Sequence, residues 1–229
     1  GFFRFQPAEM IKISTPMIIA WYLAEHVLPP QRRQIMVTVG LIAIPALLIA
    51  KQPDLGTSLL VAASGTAVLF MSGIPWWFQI RCVILLAGLT PVLWHFMHDY
   101  QKARIMTLLN PEADPLGQGH QVTQSLIALG SGGLWGEGLG QGTQKLFFLP
   151  EVHADFLFPI IGEELGFAGT LGILGLYVLL GFAGWRISKR ASTPFGFLLS
   201  FALTTHILLQ AAINIAVTTA LVPAKGIPL

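Results

Sequence analysis

Long apolar segments separated by short polar connections dominate the chain. Six of them approach the roughly 20 apolar residues that a helix needs to cross a bilayer. They lie at about residues 7–28, 35–50, 57–74, 76–97, 157–185 and 197–222, and the second is short. This pattern predicts an all-α integral membrane protein, a polytopic helix bundle with about six spanning helices.

Composition supports this class and excludes others. Hydrophobic residues make up 54% of the chain and charged residues only 10%, against about 25% charged residues in a soluble domain. The formal net charge of +2 is scattered, without the basic run or stripe that neutralises phosphates. We therefore expect no nucleic-acid partner. The single cysteine, Cys82, excludes an intramolecular disulfide.

A long connection from residue 98 to residue 156 separates the fourth and fifth segments. Loops longer than about 15 residues are usually functional or disordered. The apolar stretches IMTLL and QVTQSLIALG predict short helices within this loop, and the glycines between Gly130 and Gly142 predict turns. We expect residues 1–229 to form a single membrane domain that carries this loop.

Basic residues set the expected orientation, because cytoplasmic connections collect Lys and Arg. Arg32 and Arg33 lie in one short connection, and Arg186, Lys189 and Arg190 lie in another. If both face the cytoplasm, the long loop is extracytoplasmic. The chain starts without Met and stops in the turn-like VPAKGIPL, so we expect it to be a fragment with further spans beyond it.

Several charged residues border or enter these apolar segments, where charge is costly and is by default a functional hypothesis. Asp155 directly precedes the fifth segment, as a functional carboxylate or as a helix N-cap. Glu9 and Lys12 share a helix face, as a cavity-lining pair or as an ion pair that fixes packing. Asp54 either caps the third helix or lines an outer vestibule. Of the adjacent Glu163 and Glu164, which cannot face the same way, at least one is expected to face the cavity.

A series of motifs spans nearly the whole chain: FQPAEMIKI at 5–13, KQPDLGTSLL at 51–60, HDYQKARI at 98–105, DPLGQGHQVTQSLIALGSGG at 114–133, GTQKLFFLPEVHADF at 142–156, GEELGF at 162–167 and VPAKGIPL at the end. In this order they resemble the shape, elongation, division and sporulation family of membrane glycosyltransferases, which contains RodA and FtsW. Some motifs look like RodA and others are nearer to FtsW. The resemblance implies ten spanning helices in the full protein, with the early helices and the last one missing here.

The resemblance implies a peptidoglycan glycan-strand polymerase that uses a lipid-linked disaccharide-pentapeptide, lipid II, at the outer face of the bacterial cytoplasmic membrane. It favours the elongation member over an FtsW-like division polymerase. A class B penicillin-binding protein is the implied partner, and a divalent cation, Mg²⁺ or Mn²⁺, with the pyrophosphate is an open alternative to no cofactor. A lipid II flippase and a non-catalytic scaffold of the wall-synthesis complex remain as competing functions.

The resemblance also implies roles for particular residues. Asp155 matches the family's catalytic position and would act as general base. The implied substrate-binding residues are Arg104, Gln101, Lys145, Ser125, Gln124, Glu9, Lys12, Arg4 and Asp54. Two departures from the family pattern stand beside Asp155: Ala154 replaces the usual Thr, and Pro159 lies just inside the next helix. No metal-ligand spacing occurs in the sequence, so we expect no protein metal site.

Overall fold

The computed structural model describes residues 7–52, 54–96, 102, 106, 118–142 and 156–222. This part of the chain contains seven α-helices and no strands, which confirms the all-α prediction. The helices are α1 Pro7–Ala24, α2 Arg32–Ala50, α3 Leu55–Met71, α4 Trp76–Phe96, α5 Gln118–Ser131, α6 Leu157–Arg190 and α7 Pro194–Thr218. Each of the six predicted spans corresponds to one helix, and α5 contains the expected QVTQSLIALG helix.

The chain is a membrane protein. Among the described residues, α2, α6 and α7 are each long and apolar enough to cross a bilayer. Their surfaces carry many exposed large apolar side chains, such as Ile44 on α2 and Val178 on α6. Exposing such side chains to water is unfavourable, but contact with lipid tails is not, because the tails are themselves apolar. The predicted IMTLL helix lies outside the described residues apart from Met106.

The described chain divides into two compact units. The first comprises Gly1–Gly88 and Leu179–Leu209. Its core is formed by buried aliphatic side chains of α1, α2, α3 and the start of α7, including Ile19, Ile42, Val68 and Leu198. Gly65 permits this packing, because a Cβ there would stand 2.8 Å from Ile42 Cγ1 and 2.9 Å from Ile19 Cδ1. A small residue at a helix contact lets apolar helices approach closely in a membrane.

The second unit comprises Leu89–Val178 and Gln210–Leu229. It contains α5, the larger part of α6 and the end of α7. Val122 of α5 packs against Val217 of α7. About two turns further along α5, Leu129 lies over Gly162 of α6, where a Cβ would stand 2.5 Å from Leu129 Cδ2. The predicted single membrane domain stays a prediction.

Candidate functional site

The helix α6 is broken at Gly166. This residue has φ +68° and ψ −166°, a backbone conformation that only glycine adopts without strain. The helix continues on both sides, so the break divides α6 into a first half, Leu157–Leu165, and a second half, Phe167–Arg190. The sequence predicts an unbroken helix here, and the break is therefore a correction to that prediction.

A glycine-rich loop, residues 132–142, occupies the break. In a continuous helix the amides of Phe167 and Ala168 would donate to the carbonyls of Glu163 and Glu164. Instead, the Phe167 amide donates to the Gly133 carbonyl at 2.9 Å and the Ala168 amide donates to the Leu134 carbonyl at 3.1 Å.

The freed carbonyls of α6 are bound by the same loop. The Glu137 amide donates to the Glu163 carbonyl at 2.9 Å, and the Gly138 amide donates to the Glu164 carbonyl at 3.1 Å. The loop thus replaces two helical hydrogen bonds with four bonds of its own. An unsatisfied backbone group in an apolar environment costs several kcal/mol, so these bonds make the break tolerable. We call this arrangement the loop clamp.

The loop clamp depends on the absence of side chains. A Cβ on Gly132 would collide with the Gly162 carbonyl oxygen, and a Cβ on Gly136 would collide with the Glu164 carbonyl. A Cβ on Gly166 would collide with the Gly136 amide and would stand 2.7 Å from the Leu134 carbonyl oxygen. Loop and helix therefore touch backbone to backbone. The predicted turn-forming role of these glycines is confirmed at Gly136 and Gly138, whose φ angles are +81° and +108°.

Both glutamates next to the break are buried. Glu163 is 0% exposed and Glu164 is 9% exposed. The loop clamp explains why both are buried, and the prediction that at least one faces the cavity stays a prediction. Gly142, at the end of the loop, lies against the Glu163 side chain, since a Cβ built on Gly142 would stand 2.8 Å from Glu163 Oε2. The loop therefore covers a side of α6 that would otherwise present a carboxylate to lipid.

The first half of α6 is anchored by apolar side chains. Phe156, Phe158 and Ile160 are each about 5% exposed or less, and Phe156 and Ile160 pack together. Pro159 lies in the first turn of α6, where the missing amide hydrogen is not needed because the first four amides have no partner within the helix. Asp155 immediately precedes Phe156 in the sequence but lies outside the described residues, as do Arg4, Gln101, Arg104 and Lys145.

Two predicted substrate-binding residues lie on α5. Ser125 is fully buried, whereas the neighbouring Gln124 is half-buried. Of the two, Gln124 is the one with a side chain open to an incoming molecule. Their role in substrate binding stays a prediction.

The predicted pair on α1 is present. Lys12 Nζ lies 2.6 Å from Glu9 Oε2, with the Lys12 side chain 3% exposed and that of Glu9 49% exposed. The i,i+3 spacing therefore gives the ion pair expected from the sequence. His206 of α7, which sequence reasoning missed, is buried and within electrostatic reach of both charges. The sequence feature that could have pointed to His206 is that it is a lone histidine in the apolar stretch TTHILL.

Asp54 is the N-cap of α3. Its Oδ1 accepts a hydrogen bond from the Thr57 amide at 3.0 Å. This is the capping alternative predicted from the sequence, and it satisfies an amide that has no partner within the helix. The further role of Asp54 in a substrate vestibule stays a prediction.

In the part of the chain that the structure describes, no group of three or more His, Cys, Asp or Glu side chains is placed to hold a metal ion. The divalent cation implied with a pyrophosphate stays a prediction, and no chemical step is assigned to it.

Comparisons with known proteins place this architecture in a family. The model of the cell cycle protein family FtsW/RodA/SpoVE matches residues 1–229. The chain is 47% identical over 231 residues to the peptidoglycan glycosyltransferase MrdB of Escherichia coli K12, covering 100% of this chain and 62% of that protein. It is 39% identical over 236 residues to a probable peptidoglycan glycosyltransferase FtsW of Alkalilimnicola ehrlichii, covering 100% of this chain and 58% of that protein.

A solved structure has the same fold. A chain of a peptidoglycan synthase complex, described as coordinating polymerization and crosslinking, superposes with a TM-score of 0.81 at 26% identity. The match covers 100% of this chain and 64% of that chain. The present chain thus spans about 60% of the length of the curated relatives it matches.

Proposed function

Because the chain belongs to the FtsW/RodA/SpoVE family of cell cycle proteins, we propose that the full protein is a peptidoglycan glycosyltransferase. It polymerises glycan strands from lipid II at the outer face of the bacterial cytoplasmic membrane. The observation that carries this proposal is the 47% identity, along the whole chain, to the peptidoglycan glycosyltransferase MrdB.

The proposed biological role is cell elongation and shape. MrdB is the RodA-type protein, and identity to it is 47% against 39% to the FtsW relative. The motifs KQPDLGTSLL and HDYQKARI also resemble RodA. A division polymerase is the alternative within the same family, and it would use the same chemistry.

In the proposed reaction, a sugar hydroxyl of the acceptor attacks the anomeric carbon of the donor. The new glycosidic bond forms as the bond to undecaprenyl pyrophosphate breaks. Asp155 takes the proton of the attacking hydroxyl, as a general base must. Its place in the sequence supports this role, because it precedes a half-helix whose Phe158 and Ile160 side chains are buried.

The leaving pyrophosphate requires cationic contacts, and Arg104, Gln101 and Lys145 are the proposed ones. Arginine can bind phosphate oxygens through two parallel N–H groups, which gives both energy and orientation. Arg4 and the Glu9–Lys12 pair would line the cavity beneath the reacting groups. The contact of the buried Lys12 with Glu9 at 2.6 Å fixes the position of this pair.

The proposed partner is a class B penicillin-binding protein, which would crosslink the strands that this protein makes. The solved relative is part of a peptidoglycan synthase complex that couples polymerization to crosslinking, which supports a partner of this kind. The proposal therefore concerns the full-length protein bound to its partner in the membrane.

The test is the substitution Asp155→Asn in the full-length, partner-bound protein. Asparagine keeps the size of the side chain and most of its capping ability, but it cannot act as the base. Loss of a general base costs about a hundredfold to ten-thousandfold in rate. We expect glycan synthesis from purified lipid II to fall by that factor, with lipid II affinity and the unfolding midpoint nearly unchanged.

Two outcomes would contradict the proposal. Near-normal synthesis by folded Asp155→Asn protein would remove Asp155 as the base. Transfer of lipid II across the bilayer by the wild-type protein without synthesis would favour a flippase. A matched control is Glu25→Gln, which makes the equivalent change at an exposed carboxylate just beyond α1 and should leave the rate unchanged.

A further inference from the structure

The first half of α6 cannot take its direction from the second half. At Gly166 the backbone leaves the helical conformation, with φ +68° and ψ −166°, so the two halves are not one rigid rod. The packing of Phe158 and Ile160 holds the first half laterally. Its angle to the second half is held by the four hydrogen bonds of the loop clamp.

We propose that the loop clamp is a positioning device for the catalytic carboxylate. In the sequence Asp155 precedes Leu157, where α6 begins, by two residues. Because two residues span at most about 7 Å, we expect a rotation or tilt of the first half to reach Asp155. Misplacement of a reacting group by about 1 Å can cost on the order of a hundredfold in rate. This inference rests on the proposed role of Asp155 as general base.

Gly136 is the residue of the clamp that can be tested most cleanly. It has φ +81° and lies where a Cβ would stand 2.6 Å from the Leu165 amide nitrogen, besides colliding with the Glu164 carbonyl. A methyl group at this position must push the loop and the first half of α6 apart. The atoms nearest to a Cβ at Gly136 are backbone atoms of α6, so Gly136 acts through position and is not itself a catalytic residue.

The same loop supplies a matched control. Gly140 has φ +77°, but a Cβ there would meet nothing within 4 Å. Gly136→Ala and Gly140→Ala therefore impose the same left-handed strain on the loop, and only the first separates it from α6. Their difference isolates the clamp from the general cost of alanine at a glycine position.

The experiment measures kcat, lipid II affinity and the unfolding midpoint for both variants in the full-length, partner-bound protein. We expect kcat of Gly136→Ala to be about 10-fold to 100-fold lower than that of Gly140→Ala, with affinity within about twofold. Equal kcat values for the two variants would overturn the proposal, whatever the unfolding midpoints.

A second comparison separates positioning from simple destabilisation. If the clamp acts through Asp155, adding Gly136→Ala to Asp155→Asn should lower kcat no further, because both changes remove the same contribution. A further drop equal to that seen in the wild-type background would overturn the proposal. If Gly136→Ala does not fold, Gly142→Ala takes its place, since a Cβ there would meet α6 at the flexible end of a side chain, 2.8 Å from Glu163 Oε2.

The failure of this inference is distinguishable from the failure of the proposed function. If Asp155→Asn is inactive and Gly136→Ala is fully active, the positioning role of the loop clamp is rejected and the general-base role of Asp155 is retained. A fully active Asp155→Asn would remove the base, and the loop clamp would then be left only with its role in satisfying the backbone of α6.

Discussion

The helices α1 and α6 both carry ionisable side chains inside apolar sequence, and the structure accommodates these side chains differently in the two helices. In α1 the charge of Lys12 is neutralised by a side chain on the same helix face, Glu9, and the helix stays continuous. In α6 the helix itself is broken beside Glu163 and Glu164, and a separate loop covers both residues. One solution uses side chains alone, and the other changes the backbone.

The difference shows what each region is built to tolerate. An ion pair within one helix needs only a spacing of three residues, and it can form in any packing that buries that face. The loop clamp needs glycines at several positions, each with a Cβ collision or a positive φ. The α6 region should therefore be far less tolerant of substitution at small residues than the α1 region.

The largest expected effect on stability follows from adding a side chain at the break in α6. Gly166→Ala adds backbone strain of about 1–3 kcal/mol and a collision with the loop of about 1–3 kcal/mol. We expect the free energy of unfolding in detergent to fall by about 4 kcal/mol. Gly172→Ala is the control on the same helix, since a Cβ there meets nothing within 4 Å, and it should be neutral or stabilising by up to about 1 kcal/mol. Equal stability of the two variants would contradict the loop clamp.

An intermediate effect on stability is expected from breaking the Glu9–Lys12 ion pair of α1. Glu9→Gln leaves the buried Lys12 without its carboxylate and should cost about 2 kcal/mol, less than a fully buried pair because Glu9 is half exposed. The double variant with Lys12→Met should lose less than the two single losses added together, by about 0.5–3 kcal/mol. Chemical denaturation of the four proteins measures this coupling.

Glu25→Gln, at an exposed glutamate just beyond α1, is the control for that cycle and should change stability by no more than about 0.5 kcal/mol. Strictly additive losses for Glu9→Gln and Lys12→Met would show that the two charges do not stabilise one another. The contrast between α1 and α6 would then have no energetic basis.

The smallest effect is expected at Asp54, whose carboxylate caps the N-terminus of α3. Asp54→Ala should cost about 1 kcal/mol, and Asp54→Asn only a few tenths, since asparagine also accepts the Thr57 amide. Thermal unfolding measures both. Reduced lipid II affinity in Asp54→Asn, at unchanged stability, would support its predicted place in a substrate vestibule; unchanged affinity would leave it a cap alone.

The sequence predicts the helices well because their signal is local. Runs of apolar residues correspond to α1–α4, α6 and α7, and the spacing of Glu9 and Lys12 predicts their ion pair. The break at Gly166 is invisible to this reasoning, since glycine is common in spanning helices and the apolar pattern continues through it. It depends on a loop that begins more than 30 residues earlier in the chain, and such a pairing leaves no trace in local composition.

His206 was missed for a related reason. A single histidine in an apolar helix says nothing about its neighbours until the fold brings α1 and α7 together within the first unit. The burial of both Glu163 and Glu164 was likewise beyond local reasoning, because helix geometry points adjacent side chains in different directions. Only the loop, which covers a further side of α6, makes both positions interior.

The break also changes what kind of helix α6 is. At the cytoplasmic end predicted for α6, Lys189 stacks on Trp185 with Nζ 5.9 Å from the ring centroid, a pairing suited to the headgroup boundary. The first half, Leu157–Leu165, is about 14 Å long at 1.5 Å of rise per residue. A segment of that length is too short to cross a hydrocarbon layer about 30 Å thick. The first half of α6 is therefore a short segment packed under the glycine loop, with Glu163 and Glu164 near the end that meets the break.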